Sequence, residues 1–269
     1  MSLGPLNLAM HGATGRMGAR ILSLIDEADD LTLAAAIERA DHPRIGGDVG
    51  PIIGLGPLGV SLSSVIDPGT PVDVVIDFSV PEASLNIGRW CGEHGVPLVV
   101  GTTGFEPAQR TELEQLADRI PILIAANFSK AVNLLFHLVG VAARSLGQSA
   151  DIEIVERHHR FKKDAPSGTA LRLAEVAAEG INTYRFVHGR HGLIGERPTG
   201  EIGLHALRTG DNPGEHTVVF GLMGECLELS HRALNRDGFS RGALDAARYL
   251  AGKPPGRYAM EDLLQLGGG

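Results

Sequence analysis

The chain has 269 residues, 43% hydrophobic and 21% charged, which excludes a disordered or membrane-embedded protein. A formal net charge of −8 argues against sequence-independent nucleic-acid binding, which needs a basic surface. The length admits one large domain or two modest ones, each able to bury a core.

Glycine is unusually frequent at 36 residues, in ones and twos beside apolar runs, as in a protein with many short strand–loop–helix junctions. Cys91 and Cys226 lie far apart and form no metal-binding spacing, so they read as free thiols and the chain as metal-free and cytoplasmic. No basic stretch followed by an apolar one marks a signal peptide. The apolar run Ala131–Ala143, interrupted by Asn133 and His137, is too short and too polar to span a bilayer.

In chain order, Leu6–His11 reads as a strand, Gly12-Ala-Thr-Gly15-Arg-Met-Gly18 as a loop, and Ile21, Leu22, Leu24 and Ile25 as one face of a helix. Thr32–Ile37 is a second strand ending at Glu38-Arg39, and Val72–Phe78 a third, followed by a helix from Pro81. Pro97–Val100 and Ile122–Ala125 are further strands, with a polar-faced helix over Thr111–Arg119 between them. Apolar strands alternating with helices predict a Rossmann-like, doubly wound parallel sheet.

The pattern changes near residue 130. A long helix is predicted over Val132–Leu146, an alternating strand over Asp151–Glu156, and a helix over Ser167–Glu179 after Pro166. Glu201–Arg208, His216–Gly221 and Glu225–His231 are strand candidates between turn residues. They predict a second, α+β domain with a mixed or antiparallel sheet and helices on one face. Helices are predicted again over Arg241–Leu250 and Met260–Leu266, with Gly267–Gly269 as a frayed tail. The expected division is residues 1–127 with 236–269 for dinucleotide binding and 128–235 for substrate binding and oligomerisation.

Three places suit chemistry. At Gly12, Gly15 and Gly18, a strand-to-helix turn without side chains lets backbone N–H groups approach a pyrophosphate. Glu38, at the end of the second strand, can bind a ribose hydroxyl, and Arg39 a 2′-phosphate; a ligand-free βα turn is the plain alternative. The strand ends Asp77-Phe78-Ser79, Gly101-Thr102-Thr103-Gly104 and Ala126-Asn127-Phe128 lie where open α/β sheets bind ligands.

The third is Glu156-Arg-His158-His159-Arg160-Phe-Lys162-Lys163-Asp164-Ala-Pro-Ser167-Gly168-Thr169. Four of the 24 Lys and Arg residues and two histidines fall within Arg157–Lys163, inviting an anionic substrate; a solvated basic turn is the alternative. A helix starting at Ser167-Gly168-Thr169 presents N–H groups to a carboxylate, and a histidine can deliver a proton near neutrality.

The segment H-H-x-x-K-x-D-A-P-S-G-T-A resembles the signature of the dihydrodipicolinate reductases (4-hydroxy-tetrahydrodipicolinate reductases) of bacterial lysine and diaminopimelate synthesis. The resemblance extends along nearly the whole chain. Gly12–Gly18 is similar to the family's nucleotide loop. Asp77-Phe78-Ser79, Gly101–Phe105 and Ala125–Ser129 are similar to its further cofactor-side motifs. Arg208-Thr-Gly-Asp211 with Gly214-Glu-His-Thr217 resembles its second-domain hairpin. Phe161 departs from members with a histidine there.

The resemblance implies NADH or NADPH as cofactor, a small dicarboxylate substrate and a homotetramer built through the second domain. It implies that Gly12, Gly15, Arg16, Met17 and Gly18 hold phosphates and adenosine, and Glu38 and Arg39 the adenosine ribose. Gly101, Thr102 and Thr103, with Ala125, Ala126, Asn127 and Phe128, would lie on the nicotinamide side. His158 would donate the proton and Lys162 would polarise the substrate. His159, Lys162, Gly168 and Thr169 would bind its carboxylates. Both cofactors stay open, because Glu38 suits a free 2′-hydroxyl and Arg39 a phosphate. The glycine loop also allows another two-domain dehydrogenase or a dinucleotide sensor, neither of which needs His158 and Lys162 together. Alanine at Gly12 or Gly168 is expected to weaken ligand binding before the fold.

Overall fold

The computed structural model describes residues 4–266, so the predicted tail Gly267–Gly269 lies outside the described residues. The chain divides into two compact units, Met1–Ser129 with Asp237–Gly269, and Lys130–Arg236.

In the first unit, β1 (Leu6–His11), α1 (Arg16–Asp26) and β2 (Leu31–Ile37) form a βαβ start. A single-turn α2 (Val49–Ile52) and a two-residue β3 (Leu62–Ser63) follow, neither of which the sequence pattern signals because both are too short for a period. Next come β4 (Val74–Asp77), α3 (Pro81–His94), β5 (Leu98–Val100), α4 (Pro107–Gln115) and β6 (Pro121–Ile124). The predicted helix over Thr111–Arg119 in fact starts at Pro107, where Glu106 and Gln109 form a reciprocal capping box, and it tightens into a 3-10 turn over Leu116–Asp118.

With a last strand, β12 (Gly256–Tyr258), the sheet is parallel throughout, in the order β12-β6-β5-β4-β1-β2-β3. Both its faces are covered. Leu8, Met10, Ile76, Val99 and Leu123 pack with α1 and a later helix, whereas Ala9, Val75, Leu98, Val100 and Ile122 pack with α3 on the opposite side. Burial on both faces is why these strands read as unbroken apolar runs. The strand order reverses between β1 and β4, the switch point of a doubly wound sheet.

In the second unit, α5 (Lys130–Leu146) leads to β7 (Asp151–His158), α6 (Gly168–Ile181), β8 (Arg185–His188), β9 (Glu201–Arg208), β10 (Glu215–Leu222) and β11 (Glu225–Arg232). The sheet order is β11-β10-β7-β9-β8. It is mixed: β7, β8 and β9 are parallel, and β10 is antiparallel to both neighbours. Ile152, Ile154, Ile202, Leu204, Val218 and Phe220 bury one face against α5 and α6. β8, absent from the sequence reading, is a four-residue edge strand without an alternating apolar face.

The chain returns to the first unit with α7 (Asp237–Leu250), β12 (Gly256–Tyr258) and α8 (Met260–Leu263). The helix predicted over Met260–Leu266 is therefore a single turn. Among the described residues, no helix is long and apolar enough to cross a membrane.

Candidate active site

The glycine loop sits at the switch point of the first sheet. Gly12 has φ +77°, and a Cβ there would run into the Phe78 carbonyl oxygen just after β4. A Cβ at Gly18 would stand closer still to the Gly12 carbonyl oxygen, so the first turn of α1 packs directly on the loop. Glycine at these two positions is a requirement of the turn itself. This corrects the expectation for Gly12→Ala, because that change strains the backbone before any ligand is involved. For Gly168 the expectation stands on open space, since a Cβ there meets nothing within 4 Å.

Beside the loop is a cavity of about 720 Å³, lined by Gly12, Gly15, Glu38 and Arg39 together with His11 and Trp90. The Glu38 carboxylate accepts from the Thr14 N–H at 3.1 Å and its hydroxyl at 2.7 Å, tying the end of β2 to the loop. Burial works against the charged form of Glu38, but the bonds from Thr14 outweigh it and hold the carboxyl below its ordinary range. Among the described residues its Oε2 accepts only from the adjacent Arg39 N–H, at 3.3 Å, which leaves capacity for a hydroxyl donor. Arg39 is exposed, 3.3 Å from Asp41. A bare-backbone turn at a helix start, a cavity of this size and an acid on its wall fit a dinucleotide.

Arg16 opens α1 and is exposed, and Met17 packs partly against the core. Gly101, Thr102 and Thr103 follow β5, and Ala125, Ala126, Asn127 and Phe128 follow β6, on the same carboxyl edge but outside the cavity lining. The Gly101 N–H donates to the Asp77 carbonyl at 2.8 Å. Phe128 is 2% exposed, and its ring rests 5.6 Å from the Phe78 ring.

Sequence reading missed what organises this edge. Asp77 is fully buried and accepts from His11 Nδ1 at 2.7 Å, Ser79 Oγ at 2.6 Å, Thr102 Oγ1 at 2.8 Å and the Ser84 hydroxyl. Its signal was a polar residue closing each of two apolar strands, and only their pairing makes His11 and Asp77 neighbours.

The second unit assembles the basic segment. β7 ends at His158, a 3.1 Å bond from the Lys162 N–H to the His159 carbonyl tightens the following turn, and Ser167 caps α6 by accepting from the Ala170 N–H at 3.2 Å. His158, His159 and Lys162 come from the strand end and turn, Gly168 and Thr169 from the start of α6. Glu156 links the two, because its Oε1 accepts from the Ser167 N–H at 3.0 Å and its Oε2 meets His158 Nδ1 at 2.6 Å. Arg208, at the end of β9, donates to both carboxylate oxygens at 2.8 Å.

Lys162 is half-buried and lies 2.9 Å from Asp164. Burial pushes the His158 imidazole below its ordinary range; Glu156 opposes that, while Lys162 and Arg208 add to it. His216 on β10, paired in register with Glu156, is pushed down to about 3 chiefly by burial and is neutral. Its Nε2 lies 3.2 Å from Ser167 Oγ. Among the described residues, the Nδ1 atoms of His159, His216 and His231 are buried without hydrogen-bond partners. A strand-end histidine, cations and a helix N-terminus are the groups that proton donation beside an anion site requires.

Comparison with known proteins identifies the family. A model described as "Dihydrodipicolinate reductase, N-terminus" matches residues 6–128, and one described as "Dihydrodipicolinate reductase, C-terminus" matches residues 131–264. The chain belongs to the dihydrodipicolinate reductase family. The 4-hydroxy-tetrahydrodipicolinate reductase of Syntrophotalea carbinolica is 46% identical over 97% of this chain and 99% of its own length. That of Anaeromyxobacter dehalogenans strain 2CP-C is 47% identical over 97% and 98%. A dipicolinate-bound dihydrodipicolinate reductase from Paenisporosarcina sp. TG-14 shares the fold, with a TM-score of 0.78 at 23% identity over 95% of this chain and 97% of that one. The two family models meet at residues 128 and 131, near the division between the compact units after Ser129.

Proposed function

We propose that this chain catalyses the NADH- or NADPH-dependent reduction of 4-hydroxy-tetrahydrodipicolinate to tetrahydrodipicolinate in diaminopimelate and lysine biosynthesis. The reaction adds a hydride and a proton and releases the hydroxyl as water. The observation that carries the reading is the buried His158, bonded to Glu156 and followed by Lys162 and the Ser167-capped start of α6.

The nicotinamide cofactor supplies the hydride when bound. Gly12, Gly15 and Gly18, with Arg16 and Met17, receive its phosphates and adenosine, and Glu38 its adenosine ribose, with Arg39 available to a 2′-phosphate. Gly101, Thr102 and Thr103 and the Ala125–Phe128 stretch flank the nicotinamide. His158 delivers the proton. Lys162 neutralises a carboxylate and draws electron density from the reacting double bond, while His159, Gly168 and Thr169 hold the carboxylates. The enzyme acts in the cytoplasm, in keeping with the unpaired Cys91 and Cys226. It assembles as a homotetramer through the second unit's sheet.

The test is oxidation of NADH and of NADPH with substrate generated in situ from pyruvate and aspartate semialdehyde. His158→Gln is expected to lower kcat by about 10²–10⁴-fold with cofactor affinity retained. Near-wild-type turnover by that variant removes His158 as donor, and the absence of cofactor oxidation by the wild type overturns the reading as a whole.

A further inference from the structure

We propose that Glu156, clamped by Arg208, is the positioning residue of the proton donor: it fixes the tautomer and direction of the His158 ring, so that the transferred proton rides on Nε2. The inference rests on the reading of His158 as donor.

Glu156 occupies the central strand of the second sheet, on its helix-covered face, with its side chain 1% exposed. A bare carboxylate there is costly unless every lone pair is matched. Each oxygen meets two donors. Oε1 takes Arg208 Nη2 and the Ser167 N–H, and Oε2 takes Arg208 Nη1 and His158 Nδ1. The bidentate Arg208 fork leaves the carboxylate no freedom to rotate away. Arg208 itself comes from β9, which pairs with β7 so that Arg208 and His158 stand opposite one another.

Burial acts to protonate Glu156, but the bonds from Arg208 and His158 outweigh it and keep the carboxyl below its ordinary range. An ionised carboxylate only accepts, so His158 Nδ1 must carry a hydrogen whether the ring is neutral or charged. The proton that comes and goes is then on Nε2. That nitrogen lies beside Gly214, where a Cβ would stand 2.9 Å from it, so a side chain at that position would crowd the reactive edge. In the step, the imidazolium gives its Nε2 proton to the substrate carbon beside the hydride acceptor. The ring becomes neutral with Nδ1–H still bonded to Glu156, and Nε2 regains a proton from solvent.

The charged and titratable groups around the ring are Glu156 on its own strand, Arg208 on β9, His216 on β10, and Lys162 in the turn with Asp164 paired to it. His216 is neutral and adds no charge. Glu156 is the one group in this set that favours the protonated ring by direct contact.

The experiment compares the pH dependence of kcat for wild type, Glu156→Gln, Glu156→Asp and His158→Gln, with NADH affinity by fluorescence titration. Glu156→Gln is expected to lose roughly 10²-fold in kcat with NADH affinity unchanged, and the fall in activity with rising pH should move down by about one pH unit. Glu156→Asp should restore that limb toward its wild-type position. Wild-type kcat and an unmoved limb in Glu156→Gln, beside an inactive His158→Gln, overturn this proposal and leave the donor reading standing. An active His158→Gln removes the donor reading itself. Should Glu156→Gln fail to fold, nitrogen NMR of histidine-labelled wild-type protein decides. A neutral His158 protonated at Nδ1 upholds the positioning, and one protonated at Nε2 overturns it.

Discussion

At the scale of single residues, one amino-acid type does opposite jobs. Gly12 and Gly18 are glycines because backbone oxygens occupy the space a side chain would need. Gly12→Ala is therefore expected to destabilise the first unit by on the order of 2 kcal/mol or more, read as a lowered Tm without ligand. Gly168 has open space around its Cα. Gly168→Ala should keep the wild-type Tm and raise KM for the dicarboxylate about tenfold, leaving NADH affinity alone. A lowered Tm in Gly168→Ala would assign that glycine to the fold. Gly203 is a third case, since a Cβ there would run into the Glu153 carboxylate, so its bareness makes room for a charge on the neighbouring strand.

That charge organises an element. On the face of the second sheet opposite α5 and α6, Glu153 accepts from Arg190 at 2.9 and 2.7 Å, from Arg197 at 3.0 Å and from His205 at 2.7 Å. Arg190 also reaches Glu201 at 2.6 Å, so the β8–β9 connection is tied back over the sheet by its two arginines. Burial opposes the charged Glu153, but the bonds from Arg190, His205 and Arg197 hold its carboxyl at about 2, against an ordinary 4.5. A depressed folded-state value stabilises fully above 4.5 and loses that contribution as pH falls toward 2. Glu153→Gln should therefore be less stable than wild type at neutral pH by about 2 kcal/mol. The gap should close as pH drops through that window, as thermal denaturation measured across pH can follow. A gap that persists unchanged to the acid end would mean that packing, not charge, holds the loop.

At the scale of the whole molecule, the opposite sides of the second sheet differ in what covers them. Two helices bury one face, while the other carries the arginine-tied loop on its β8–β9 side and presents Val155, Thr217 and Val219 nearer β11. Val219→Lys places a charge in the middle of that open half, next to Glu153 and Glu228 in register. Sedimentation of the wild type should give a tetramer, and Val219→Lys should shift it to smaller species with the unit still folded. A tetramer unchanged by the substitution would move the assembly surface elsewhere.

Much of this is legible in the amino-acid sequence. Buried parallel strands announce themselves as apolar runs, so β1 coincides with the predicted Leu6–His11; β9 coincides with the predicted Glu201–Arg208 because turn residues bound it, and the histidine-rich segment carries its chemistry in residue types alone. Short edge elements such as β3, β8 and β12 did not, because a few residues at a sheet edge bury too little to impose a period. The sequence by itself determined the doubly wound sheet, the glycine turn and the histidine-and-lysine segment, since local periodicity and local chemistry encode all three. Only the tertiary structure decided which residues share a charge. His11 meets Asp77 across 66 positions, and Arg208 meets Glu156 across 52, because strand register sets those pairs and no local spacing predicts register.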